Sequence, residues 1–132
     1  MECTLPEYVL HELTAILEES EGTAVRVQRT FTGVCLCSAD MRTKLSINVL
    51  FNIKLIVTDV NFINRRCGTM SKVFDVLYSF CKLNGISAIC IQSVITYEMY
   101  RWCLKHSFVP DPSASIVGDE GFTVGDYILC VS

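Results

Sequence analysis

Apolar positions near the start of the chain recur with the period of a helix. Val9, Leu10, Leu13, Ile16 and Leu17 fall on one face, which predicts an amphipathic helix over residues 5–20. Thr4 can cap it, Glu7 stands three residues on as in a capping box, and Pro6 is tolerated in the first turn because its missing N–H would be unpaired there anyway. Glu18, Glu19 and Glu21 read as a solvated end, with Gly22 as the stop. From Thr23 the period shortens to that of strands. Residues 24–31, 33–38, 44–51 and 55–62 are apolar or β-branched runs a few residues apart, separated by turn residues at 39–42 and at Asn52. That grammar predicts an antiparallel meander.

The stretch 55–108 organises the rest. It reads as a strand (55–62), a glycine-bearing loop (63–70), a helix to about Leu83, a turn at Asn84-Gly85, a strand (86–94) and a helix (96–105). Met70, Val73, Phe74, Leu77, Phe80 and Cys81 carry the helical period, with Lys72, Asp75, Ser79 and Lys82 on the other face. The run from Ile86 to Val94 is apolar at both parities, which marks a central strand. Tyr97, Tyr100 and Trp102 load the second helix with aromatics; they can shape a pocket or fill the space between helix and sheet. Residues 111–121 are rich in Pro, Ser, Gly and acid and are expected to form a loop. Residues 123–131 close the chain as a strand, which at an open edge could pair with a second copy.

Composition narrows the class. A chain of 132 residues, 51% hydrophobic and 19% charged, has material for one domain with a real core and is not a disordered chain. No apolar run reaches the roughly 18 residues that span a bilayer, and the first residues lack the pattern of a secretion signal. A soluble, cytoplasmic protein is the expectation. The net charge of −3 argues against a generic nucleic-acid surface, although Arg26, Arg29, Arg65 and Arg66 supply local positive charge. None of the eight cysteines forms a Cys-x-x-Cys pair. Cys35 and Cys37 share a strand face, but no histidine lies near them in sequence. Zinc and a disulfide framework are both disfavoured, and reduced, packed thiols are the simpler reading. His11 reads as partly exposed, and His106 as a complement to a helix dipole.

The loop at Gly68 carries the candidate chemistry. A strand that enters a helix through a glycine leaves the first N–H groups of that helix unpaired, with the helix dipole adding partial positive charge. Arg65 and Arg66 stand just before it. Such an end can cradle a phosphate or pyrophosphate; it can equally be an ordinary strand–helix turn with a solvated Arg pair.

Val60-Asn61-Phe62-Ile63-Asn64-Arg65-Arg66-Cys67-Gly68-Thr69-Met70, a helix, Asn84-Gly85-Ile86, a central strand and then Tyr100-Arg101-Trp102-Cys103-Leu104-Lys105-His106-Ser107-Phe108 resemble the GNAT superfamily of acyl-CoA-dependent N-acyltransferases. The family loop reads Arg/Gln-x-x-Gly-x-Gly/Ala after Val-x-Pro, and its second helix Asn-x-x-Ala-x-x-x-Tyr before Lys-x-Gly-Phe. The motifs cover about residues 55–108. The resemblance implies a single α/β domain over 1–132, with α+β segregation and a mixed sheet of about six strands. It implies acetyl-CoA or another acyl-CoA as cofactor and an amine-bearing small molecule or protein as acceptor. Carried over by position, Arg65 and Gly68 match the loop, and the backbone of Arg66, Cys67, Gly68, Thr69, Met70 and Ser71 would hold the pyrophosphate. Val60 would pair with the pantetheine arm, where the two central strands splay. Asp59 becomes the candidate for positioning an amine or acting as its base, and Cys103 for the acid at the family's tyrosine position.

The departures are as specific as the matches. Met70 replaces Gly or Ala, Phe62 the proline, Thr96 the asparagine, Met99 the alanine, Cys103 the tyrosine and Ser107 the glycine. The front of the chain has one clear helix where the family has a strand and two. These leave a second reading open: a catalytically silent GNAT-like fold that serves as a protein-binding or structural module in a larger assembly.

Overall fold

The computed structural model describes residues 5–31, 33–50, 53–64 and 68–131. Their order is α1 (Glu7–Glu21), β1 (Arg26–Arg29), β2 (Gly33–Cys37), β3 (Lys44–Leu50), β4 (Lys54–Asn61), α2 (Thr69–Asn84), β5 (Ala88–Val94), α3 (Tyr97–Lys105), β6 (Val109–Val117) and β7 (Thr123–Cys130). The strands form one mixed sheet in the order β1-β2-β3-β4-β5-β7-β6. Strands β1 to β4 make the expected meander, each antiparallel to the next. Helix α2 then crosses over so that β5 lies parallel to β4, which needs a connection of this length. The central unit of the sequence is therefore the centre of the sheet.

One core cluster joins the three helices to one face of the sheet. Leu45, Ile47, Leu55, Val57, Ile89, Ile91 and Tyr127 come from alternate strand positions, and Leu13, Leu17, Val73, Leu77 and Cys103 meet them from α1, α2 and α3. Leu13, Leu17, Leu45, Ile47 and Leu55 are wholly enclosed. Burial of a Leu or Ile side chain is worth about 1.5–3 kcal/mol, so this layer dominates the stability. Helix α1 begins after Pro6 with no side-chain cap; the expected cap, Thr4, lies outside the described residues. It stops at Gly22, whose φ of +66° suits glycine.

Four expectations are corrected. The sheet has seven strands rather than about six. The added strand is β6, in the stretch expected to be a loop. Pro110 and Pro112 argued against a strand, but β6 is an edge strand, where missing donors facing solvent cost nothing. Its register with β7 breaks between Pro110 and Ser115 and resumes over Ser115–Val117. The last strand is not at an edge either: β7 lies between β5 and β6, so it offers no ladder to a second copy. Finally, Glu21 is not a solvated end but 7% exposed. Among the described residues no helix is long and apolar enough to cross a membrane.

Candidate functional site

The parallel pairing of β4 with β5 covers only Lys54–Val57 against Ala88–Ile91. Beyond it, among the described residues, β4 continues on β3 alone and β5 on β7 alone. Both strands carry an irregularity at this level. On β4, Val57 and Asp59 face the consecutive residues Ile47 and Ser46, so Thr58 is the extra residue. On β5, Ile91 and Val94 face Tyr127 and Gly125, so Gln92 and Ser93 stand opposite Asp126 alone. Ser93 takes φ +56° and donates its N–H to Asp126 Oδ1 at 3.0 Å. Bulges bend and twist the strand that holds them. Two at one level part the neighbours, and β4 is left with one backbone edge facing a gap.

Helix α2 starts beside that gap. Its N-cap is Gly68 at φ +73°, and among the described residues no side chain caps it. A Cβ at Gly68 would meet open space; the left-handed backbone, not crowding, is what asks for glycine here. The first N–H groups of the helix have no partner within it. Thr69 is 3% exposed, and its Oγ1 is buried without a hydrogen-bond partner among the described residues. Buried polar atoms are rarely left so. A groove of about 510 Å³ opens at this end, lined by Val60, Asn61 and Phe62 of β4 and its exit, by Gly68–Ser71, and by the first turns of α3.

The aromatic-rich helix forms the opposite wall. Trp102 Nε1 donates to Ser71 Oγ at 3.1 Å, and its ring stacks on His106 at 4.3 Å between centroids. His106 Nε2 lies 3.3 Å from the same hydroxyl. Partial burial, then the charge of Lys105, holds His106 below the usual histidine pKa. Phe74 sets its ring edge-on to Trp102 at 5.6 Å, tying α2 to α3. Thr96 caps α3 by accepting the Met99 N–H at 3.2 Å. It therefore does the helix-starting work at the position where the family has asparagine.

The residues singled out from sequence divide into three groups. Val60, Gly68, Thr69, Met70 and Ser71 all line the groove. Met70 is 9% exposed and belongs to the core cluster, so its side chain follows its helical period inward and the groove stays open beside it. Arg65, Arg66 and Cys67 lie outside the described residues. Asp59 and Cys103 are not among the groove-lining side chains. The Asp59 carboxylate is half exposed and takes Lys44 Nζ at 3.0 Å. Cys103 is fully enclosed in the core, and burial pushes its thiol up to about 12. Of the three α3 aromatics, Tyr97 and Trp102 line the groove, while Tyr100 stacks on Phe122 at 4.9 Å.

Glu21 was missed. Its carboxylate accepts the Thr43 hydroxyl at 2.8 Å and the backbone N–H groups of Ile63 at 2.6 Å and Asn64 at 2.7 Å. A signal existed: Leu13, Leu17 and Glu21 are spaced by four, which puts Glu21 on the buried stripe. The neighbouring Glu18 and Glu19 obscured it. Glu18 has its own task, accepting the Val25 N–H at 2.9 Å.

No family model and no curated protein matches the sequence. Solved structures do resemble the fold. Ard1 from Thermoplasma volcanium is 15% identical with a TM-score of 0.54, over 97% of this chain and 81% of that one. An acetyltransferase of the GNAT family from Staphylococcus aureus Mu50 is 9% identical with a TM-score of 0.51, over 98% of each chain. Nourseothricin acetyltransferase is 10% identical with a TM-score of 0.54, over 75% of this chain and 64% of that one. At such identities the likeness is one of fold, and by that measure the chain has the fold of the GNAT acetyltransferases.

Proposed function

We propose that this protein is an N-acyltransferase that moves an acyl group from an acyl-CoA, acetyl-CoA first among them, to the amine of a small molecule or protein. The observation that carries the proposal is the uncapped start of α2, with the partnerless Thr69 hydroxyl, opening onto a groove beside parted strands. The residues present fit the coenzyme. The N–H groups of Thr69, Met70 and Ser71 would hold phosphate oxygens, joined by Thr69 Oγ1, enclosed in the free protein, once its rotamer turns toward the groove. The free backbone edge of β4 at Val60 would bind the amide-bearing arm as an added strand does. When bound, acyl-CoA supplies the activated thioester. The protein's part is then to hold the two reactants in one geometry, which removes much of the barrier. Asp59 stands next to Val60 but off the groove lining, its carboxylate held by Lys44, so it is not proposed to touch the amine.

One observation favours the second reading, a silent binding or structural module. A thiol enclosed and held near 12 is a poor proton donor, so the position of the family's tyrosine weighs against transfer while leaving coenzyme binding untouched. Calorimetry with acetyl-CoA, followed by thiol release against a panel of amines, separates the two. Binding with release supports the transferase. Binding without release favours the module. No heat at millimolar acetyl-CoA contradicts both the transferase and any coenzyme role.

A further inference from the structure

The strongest unassigned feature is the buried carboxylate of Glu21. It sits on the last turn of α1, far in sequence from the loop it holds, and one carboxylate serves three donors. Oε1 takes the Thr43 hydroxyl and the Ile63 N–H, and Oε2 takes the Asn64 N–H. Asn64 is tied a second time, its side-chain Nδ2 donating to the Ser20 carbonyl at 2.7 Å. Burying a carboxylate is costly unless it is fully bonded. A chain that needed only to end a helix could have used a leucine on this stripe.

What the carboxylate holds is the exit of β4. Asn64 lines the groove, and so does Gly68. Four residues of chain reach at most about 14 Å, so fixing Asn64 confines where the α2 start can lie relative to the free edge of β4. The two halves of the groove, strand edge and helix end, are then set against each other by one side chain from a third element.

We infer that Glu21 is a positioning residue: it clamps the amides of Ile63 and Asn64 and so holds the helix end in register with β4 for the coenzyme. This rests on the coenzyme reading proposed above. Glu21→Gln keeps the shape but puts an NH2 donor where one carboxylate oxygen accepted, so one of the two amides, which bond different oxygens, faces a donor.

The test measures acetyl-CoA affinity by calorimetry and amide hydrogen exchange by NMR in wild type, Glu21→Gln and Thr43→Val. In Glu21→Gln, affinity is expected to fall about tenfold, the scale of a modest misplacement of binding groups. Exchange is expected to quicken at Ile63, Asn64 and Gly68–Ser71 and to stay unchanged at Leu55 and Ile89. Thr43→Val, which spares both amide bonds, is expected to bind within twofold of wild type. A merely structural role would quicken exchange throughout and leave affinity in the folded protein unchanged; that result overturns the inference. An equal loss in Thr43→Val overturns the assignment to the two amides. If Glu21→Gln does not fold, Glu21→Asp, one methylene shorter, is read by the same criteria. Binding by wild type with unchanged affinity in the variant removes the clamp alone; no binding by wild type removes the clamp's purpose and the coenzyme reading together.

Discussion

Two strands at the centre of this sheet, β4 and β5, each lead to a helix, and the two helix starts are finished differently. At the start of α3, Thr96 bends its own hydroxyl to the Met99 N–H, and the helix is closed by its own sequence. At the start of α2, Gly68 contributes no side chain, and among the described residues no other side chain caps the end and Thr69 buries a hydroxyl with nothing to bond. Both lie on one groove. An N-cap is worth about 1 kcal/mol and an unsatisfied buried hydroxyl costs about 1–3 kcal/mol. A chain that caps one helix and leaves its neighbour open has spent stability at the open end, and a ligand there would return it.

The comparison breaks most sharply at Gly68. Gly68→Trp adds a large ring at the groove and forces a side chain into a left-handed backbone; acetyl-CoA affinity should fall about 100-fold, the equivalent of a steric clash of about 3 kcal/mol. Gly68→Ala separates the causes, because its Cβ meets open space. It should cost about 1 kcal/mol of stability with little loss of affinity. Retained binding in Gly68→Trp would show that the coenzyme does not enter here.

Thr69→Val sharpens the contrast by moving two quantities in opposite directions. Removing a partnerless buried hydroxyl should raise stability by up to about 1 kcal/mol, while acetyl-CoA binds about tenfold more weakly through loss of a hydrogen bond to a charged group. Denaturant melts and calorimetry on one preparation check both signs. A fall in stability would mean the hydroxyl is satisfied in the free protein. The closed junction behaves as a control. Thr96→Ala should lose about 1 kcal/mol, a drop of about 4 °C in Tm, without a comparable loss of coenzyme.

The smallest effect concerns the wall between the junctions. Burial lowers the His106 pKa in the fold, so the unfolded chain binds its proton more readily. Stability should therefore be full above the unfolded value of 6.5 and decline as pH falls below it. Tm measured from pH 7.5 to 5.5 should drop, and His106→Gln should flatten that drop. An unchanged slope would mean that other groups carry it.

Much of this fold was legible because period and punctuation agree in the middle of the chain. Met70, Val73 and Leu77 define α2, Asn84-Gly85 ends it, and the both-parity run at Ile89–Ile91 marks the central strand. The loop glycine also pointed to the open helix end. What escaped was set by tertiary partners. Prolines in β6 read as loop because nothing local says that a strand will lie at an edge. Glu21 sat among other glutamates, and only the buried stripe of α1 distinguishes it. Cys103 matched a motif position, yet at that position a short side chain stays inside the core. The parting of β4 and β5 was expected only through the family resemblance; the bulges at Thr58 and Ser93 that produce it carry no sequence mark.

Amide mapping by NMR, with acetyl-CoA titrated into the wild-type protein, tests the central claim most directly. The account predicts that the largest shifts fall on Thr69, Met70 and Ser71, with smaller ones at Val60 and none at the far edge of the sheet formed by β1. Shifts confined elsewhere, or no shift at millimolar acetyl-CoA, would contradict it.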